Sequence, residues 1–269
     1  VIVIVGVLDD HQNISVSLRL LFQLLVAIIV VTVGEIYLES LGNLFGYGDI
    51  ILDEWSYLVS VIAIIAGMNA VNMADGMHGL AGGNSLITFL ALLYLSIDNV
   101  SREIVLISSL FCSVLSIFLI NNLCLGVSKS KRIFMGDAGS MFIGLAIAWI
   151  LLDLSQGESR SFAPVTALWL FALPIIEMTT AIVRRISSGK SPFKPDLYHF
   201  HHLLIRVGFK EKTILLLILL LSSILAIIGI LGEESGVAEW VMFVSFLVFF
   251  GFYVFLYALV LKNIKSNGK

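Results

Sequence analysis

The sequence predicts an all-α fold: a polytopic integral membrane helical bundle of about eight full spans, preceded by one partial N-terminal span. Three observations carry that expectation. Of 269 residues, 59% are hydrophobic and only 13% charged, with a mean hydropathy of +1.03, so most of the surface must be buried in lipid. Long apolar runs alternate with short polar ones along the whole chain. The basic residues fall almost entirely on alternate connections, as the positive-inside rule requires of a multi-pass protein. The helix is the expected spanning element because it satisfies its own backbone groups in hydrocarbon. This composition excludes a soluble domain. No repeat, low-complexity segment or second domain is visible, so residues 1–269 read as one unit with no nucleic-acid partner.

In chain order, VIVIVGVL supplies only eight apolar residues before Asp9, short of the roughly 20 a span needs. With no initiator Met, it reads as the last turns of a helix whose beginning is missing, so an N-terminally truncated chain is expected. Full spans are placed near 20–34, 55–71, 80–97, 103–127, 138–152, 165–182, 213–231 and 240–261. Cys112 and Cys124 fall on one predicted helix, roughly 18 Å apart by helical rise and too far for a disulfide. Alternating sides puts 14 of the 16 Lys and Arg in one set of connections and leaves Arg102 and Arg160 in the other. The first set, with Lys129, Lys131, Arg132, Lys194, Lys265 and Lys269 among its members, is therefore cytoplasmic. The outer connections are acidic, and GNLFGYGDIIL reads there as a structured turn.

One stretch differs from everything around it. Residues 184–212 carry seven basic residues, three of the five histidines (His199, His201, His202) and two of the four prolines. Pro192 and Pro195 forbid one continuous helix, so a loop followed by a short amphipathic helix from Asp196 is expected. Such a loop reads either as a face for an anion at the membrane surface or as a plain topology signal.

Acids gather on the same predicted side. Asp9 and Asp10 close the partial helix, Asp75 lies in NAVNMADGMHGLAGG between two spans, and Asp137 opens the next helix in KRIFMGDAGS. Carboxylates arriving from separate helices can build a Mg²⁺ site, which typically takes one or two carboxylates together with waters and substrate phosphates. Glycines beside them let the backbone approach a ligand, and a helix start favours phosphate. Plainer readings stand beside these: Asp-Asp as a solvated helix end, DG as a turn, Asp137 as an N-cap.

LDD at 8–10, NAVNMADG at 69–76, FMGDAGS at 134–140 and SPFKPDLYHFHHLLIRVGF at 191–209 together resemble the polyprenyl-phosphate N-acetylhexosamine-1-phosphate transferases (glycosyltransferase family 4). The likeness runs in the family's motif order from residue 1 to about residue 260. The SPFxPDxxHxHH form, with Arg-Arg before it, is most similar to the bacterial branch that places N-acetylglucosamine 1-phosphate on undecaprenyl phosphate. Relatives of that branch have about eleven spans, which agrees with the truncated start.

The resemblance implies a reaction in which a lipid phosphate attacks the β-phosphate of a UDP-sugar, giving a lipid-diphosphate-sugar and UMP. It implies UDP-sugar, undecaprenyl phosphate and membrane lipid as partners, a homodimer as the candidate assembly, and the bacterial cytoplasmic (inner) membrane as the location, with the active site on the cytoplasmic face. It makes Asp9, Asp10, Asp137 and His199 the catalytic set, with Asp10 and Asp137 holding Mg²⁺ (Mn²⁺ is the alternative ion). Which of Asp9 and Asp10 acts as base stays open, and an already ionised phosphate can do without one. Asn72, Asp75, His78, Arg185, His201 and His202 are then the substrate-binding residues. Three histidines also suit Zn²⁺, but i, i+2 spacing on a helix splits their directions, which favours phosphate contact. Two departures stand out: His78 replaces the second acid of the usual DGxDG, and His11 follows the Asp pair where Arg or Lys is common. Glu177 is an intramembrane acid and so a functional candidate, a hydrogen bond to a neighbouring helix being the other reading. A phospho-N-acetylmuramoyl-pentapeptide transferase is the alternative within the family. A transporter is the alternative outside it, disfavoured because the charges crowd helix ends and no repeat is present.

Overall fold

The computed structural model describes residues 1–97, 102–125, 133–157, 160–192, 196 and 198–266, leaving aside the side chains of 265 and 266. The expectations for Lys129, Lys131, Arg132, Lys194, Pro195 and Lys269, and for the side chain of Lys265, lie outside that set. Eleven α-helices are formed among the described residues: α1 (Ile2–Gln12), α2 (Val16–Thr32), α3 (Ser56–Ala74), α4 (Leu80–Ser96), α5 (Arg102–Asn122), α6 (Gly136–Leu154), α7 (Pro164–Leu170), α8 (Ala172–Ser187), α9 (Phe200–Val207), α10 (Glu211–Glu234) and α11 (Glu239–Ser266). The only β pairing among them is one antiparallel bridge, Ser40 to Ile51. That bridge closes the glycine-rich turn expected between α2 and α3.

Sequence chemistry marks the helix ends. The Ser15 hydroxyl accepts from the Leu18 N–H at 3.3 Å and caps α2. Pro164 opens α7, where its missing N–H costs nothing. Gly208 closes α9 at φ 109°.

Five helices (α3 with its leading turn, α5, α6, α10 and α11) are long and apolar enough to cross a membrane, and the bent pair α7–α8 makes a sixth if taken as one span. Helices α2 and α4, at 17 residues, fall short by length. The outward faces are apolar: Leu106, Leu110, Val114 and Ile117 on α5, and Leu247, Val248, Phe252 and Phe255 on α11, are all exposed. Exposed apolar helix faces of this extent suit lipid contact.

The continuous span expected over 165–182 is not formed. It breaks at Phe171, and the two halves meet at 84°. The cause is Pro174, which has no N–H to offer the carbonyl of Leu170 four residues earlier. The Thr88 hydroxyl of α4 donates to that carbonyl instead, at 3.0 Å. Two smaller expectations also shift. Cys124 lies beyond the end of α5 and is partly exposed, whereas Cys112 is buried, and neither is in a disulfide. The amphipathic helix begins at Phe200 rather than at Asp196.

Helix α3 is central, packing on α2, α6, α8 and α4. It meets α6 backbone to backbone at Gly67 and Gly144, where a Cβ on Gly144 would lie 2.6 Å from the Gly67 carbonyl oxygen. Small residues of this kind let membrane helices approach closely. The polar ends of the bundle are chemically distinct. At one end Arg160 pairs with Glu239 at 2.8 Å, Glu233 accepts from Ala163 N–H and the Thr166 hydroxyl, and Tyr94 bonds Glu234. At the other end lie Asp9, Arg19, Asp137, Arg185 and the histidines.

Candidate active site

The acidic centre is built where α1, α3 and α6 converge. Gly6 lets α1 touch α6, since a Cβ there would overlap Ala138 Cα at 2.2 Å. That contact sets the end of α1 beside the start of α6. Asp10 accepts from the N–H of Asp137 at 2.8 Å and of Ala138 at 3.4 Å. The cap of α6 therefore comes from another helix, and the expectation that Asp137 caps its own helix is corrected: the position before the helix is Met135, with no side-chain cap bond. The Asp137 carboxylate instead accepts from Asn72 Nδ2 at 2.5 Å, and the same amide donates to Ser140 at 3.0 Å. Buried Asp9 pairs with Arg19 at 2.8 Å, and the same guanidinium nitrogen lies 3.8 Å from Asp137.

Asp75 caps the end of α3 beside this group. Partial desolvation pushes its carboxyl above the ordinary carboxylate range, against a hydrogen bond from the Gly136 backbone, and the charges of Asp137 and Asp10 add to the rise. Solvent contact tempers the effect. Asp9 and Asp137 thus flank the Arg19 guanidinium, with Asp10 and Asp75 close to Asp137. That surplus of negative charge, in an all-oxygen donor set, fits a hard divalent cation. Among the described residues, no three His, Cys, Asp or Glu side chains stand close enough to hold a metal by themselves. Mg²⁺, which keeps waters and shares phosphate oxygens, does not need such a cage.

The basic loop folds back onto this centre. The Gly76 Cα approaches His201 so closely that a Cβ would lie 2.8 Å from Nε2. The three histidine rings cluster, with centroids 5.8 Å apart for His199 and His201, 4.2 Å for His201 and His202, and 6.4 Å for His199 and His202. The expected splitting of their directions is therefore not observed. His199 is the residue before α9, with extended backbone (φ −68°, ψ 151°), so helical spacing does not govern its ring. Burial lowers the His201 imidazole to about 4, helped by the neighbouring His202 and opposed by Glu177. His202 is lowered also, first by burial and then by His199 and Arg206. Both rings are neutral near pH 7 and can offer N–H donors to an anion.

Arg185 is buried, donating from Nε to Asp196 at 2.9 Å and from Nη1 to the Pro192 carbonyl at 2.7 Å. Arg184 grips the other Asp196 oxygen at 2.9 Å. Burial alone would raise the Asp196 carboxyl, but these two guanidinium bonds and the Tyr198 N–H hold it well below the usual range. Asp196 thus fixes both arginines.

A cavity of about 360 Å³ opens among these groups, with Arg19, Asn72, Arg185, Asp196 and His199 on its polar side and Ile62, Ile65 and Ile182 on its apolar side. A second cavity of about 230 Å³ shares Ala66 and Met178 with it and is lined almost wholly by apolar side chains along α3, α6 and α8. The two cavities thus adjoin at Ala66 and Met178, one with a charged wall and one apolar.

Most residues expected at the site are brought together: Asp9, Asp10, Asn72, Asp75, Asp137, Arg185, His199, His201 and His202. His78 lies in the same turn as Asp75, its ring 4.9 Å from that of Phe134. Sequence reading missed Arg19 and Asp196 as members. A lone arginine on an otherwise apolar helix was the available signal for the first; an acid inside a basic loop was the signal for the second. Glu177 makes the hydrogen bond to a neighbouring helix that one of its readings expects, accepting from the Tyr253 hydroxyl on α11, and lies 3.5 Å from His199 Nδ1.

The family model for glycosyl transferase family 4 matches residues 1–155. The chain is 40% identical, over 98% of its length, to a protein of Escherichia coli named undecaprenyl-phosphate alpha-N-acetylglucosaminyl 1-phosphate transferase, and covers 71% of it. Proteins of the same name from Haemophilus influenzae and Yersinia pestis are 42% and 40% identical over 95% and 94% of the chain, which covers 72% and 69% of them.

Proposed function

The chain belongs to glycosyl transferase family 4, and from that premise we propose that it transfers N-acetylglucosamine 1-phosphate from a UDP-sugar to undecaprenyl phosphate, releasing UMP. The observation that carries the reading is the convergence of Asp9, Asp10, Asp75 and Asp137 beside a cavity lined by Arg19, Asn72, Arg185 and His199, where Arg19 and Asn72 bond the acids directly. Two anionic substrates have to meet there. An oxygen of the lipid phosphate bonds to the β-phosphorus of the UDP-sugar, the bond from that phosphorus to the bridging oxygen breaks, and UMP leaves with the electron pair. No proton need be lost from a lipid phosphate that is already ionised.

Asp10 and Asp137 would hold Mg²⁺. When bound, the ion offsets the repulsion between the two phosphate groups and the charge that develops on the leaving UMP. The protein's own part is positioning. Arg185, fixed by Asp196, presents a preoriented guanidinium to the nucleotide-sugar diphosphate. The neutral His201 and His202 donate to phosphate, and His199 lines the cleft beside them. Asn72 holds Asp137 in place, and the apolar cavity along α3 and α8 takes the start of the prenyl chain.

In the membrane, α2, α3, α4, α5, α6, the broken pair α7–α8, α10 and α11 would make eight crossings, with α1 as the partial ninth. Every polar pair described above joins residues on the same side of that arrangement, and the site lies on its basic, cytoplasmic side. A panel of UDP-sugars given to the full chain with undecaprenyl phosphate and Mg²⁺, read by UMP release, tests the reading. UDP-N-acetylglucosamine is expected to be turned over and UDP-N-acetylmuramoyl-pentapeptide left untouched. The reverse preference would assign the chain to the peptidoglycan branch.

A further inference from the structure

Glu177 sits in α8, on the far side of His199 from the charged cavity. One of its oxygens accepts from the Tyr253 hydroxyl of α11. The other lies 3.4 Å from the Phe200 N–H, which is the first unpaired donor of α9, and 3.5 Å from His199 Nδ1. A single carboxylate thus ties α8, α9 and α11 together at the residue that starts α9. His199 is 8% exposed and lines the cavity with Arg19, Asn72 and Arg185, whereas Glu177 lines a separate pocket behind it with Phe200, His201 and Tyr253.

An acid in a membrane-buried helix is expensive, and a hydrogen bond to one tyrosine explains only half of this one. Its other oxygen faces an imidazole nitrogen. A carboxylate beside Nδ1 selects the tautomer with the proton on Nδ1 and leaves Nε2 to face the cavity, because a carboxylate can only accept. It also holds the ring plane, as the acid does behind a catalytic histidine in other enzymes.

We infer that Glu177, itself held by Tyr253, is a positioning residue for the transfer reaction: it fixes the tautomer and orientation of His199 so that Nε2 is presented to the substrate as a hydrogen-bond acceptor. This rests on the phosphate-transfer reading for its kinetic arm and on the geometry alone for its spectroscopic arm. Glu177 touches no substrate. Tyr253 orients Glu177 in turn, so the chain of contacts runs from α11 through α8 to the cavity.

A double-mutant cycle and a tautomer measurement test it, both on the full chain in detergent. Glu177→Gln keeps the size and one acceptor but removes the charge. It should lower UMP release roughly tenfold to a hundredfold, the usual cost of losing an orienting partner. In a His199→Asn background the same change should cost less than about twofold, because there is no imidazole left to orient. Tyr253→Phe should give a smaller loss that also vanishes in that background. An equal loss in both backgrounds would show that Glu177 serves the fold and not His199. In protein labelled with ¹⁵N-histidine, long-range ¹H–¹⁵N spectra should show His199 protonated on Nδ1, and Glu177→Ala should convert it to a mixture. A His199 with its proton on Nε2 in the unaltered protein would overturn the inference, whatever the enzyme turns over. If Glu177→Gln fails to elute as a folded species, Tyr253→Phe and the spectrum of the unaltered protein decide the matter.

Discussion

Asp10 of α1 accepts a hydrogen bond from the N–H of Asp137, 2.8 Å away at the first turn of α6. One acid therefore caps the helix that carries the other, which sets the two carboxylates side by side, Asp137 being gripped by Asn72 and near Arg19.

Asp137→Asn should abolish cation-dependent turnover while the protein still inserts. Loss of one carboxylate from such a site should cost on the order of a thousandfold in rate. UMP release at saturating Mg²⁺ is the measurement, and near-normal turnover would remove Asp137 from the site.

Asp10 has two roles that separate by substitution. Asp10→Asn keeps an acceptor for the α6 N–H groups, whereas Asp10→Ala removes it and should cost about 1 kcal/mol more in stability. Both should lose activity. Thermal unfolding in detergent should therefore rank Asn above Ala, with equal loss of UMP release.

Arg185→Ala should raise KM for UDP-sugar far more than KM for the lipid, because a forked guanidinium suits a diphosphate. Asp196→Asn should do the same more weakly, through the loss of the two bonds that hold Arg184 and Arg185. A lipid-only effect would move Arg185 to the other substrate.

His201 gives a pH signature in stability. Its folded-state pKa is lowered from 6.5 to about 4, so the fold disfavours its protonation. Stability from this residue is full above pH 6.5 and is lost as pH falls toward 4, by on the order of 3 kcal/mol at most. Asp75, whose carboxyl is raised, pulls the opposite way over part of that range. Comparing the unaltered protein with His201→Gln isolates the histidine: the variant should lose less stability between pH 6.5 and 4.5.

The helices were legible from the alternation of apolar and polar runs, and the side on which each connection lies was legible from charge. The break at Phe171 was not, because Pro174 near the start of a helix is tolerated unless the segment before it must continue the same helix. The meeting of Asp9, Asp75 and Asp137 was suggested by their shared side, but only the Gly6 and Gly67–Gly144 contacts bring the three helix ends together. The tight histidine cluster was misjudged because His199 lies just outside α9. Arg19 counts in the sequence only as one of the basic residues that set topology, although its pairing with Asp9 and its approach to Asp137 place it in the acidic centre.

The most direct test of the central claim follows the β-phosphorus. UDP-N-acetylglucosamine carrying ³²P in the β-position is incubated with the full chain, undecaprenyl phosphate and Mg²⁺, and the label is partitioned between organic solvent and water. Transfer of the sugar 1-phosphate predicts label in the organic phase equal to the UMP released. Label that stays in water as UDP, with sugar alone reaching the lipid, would contradict it.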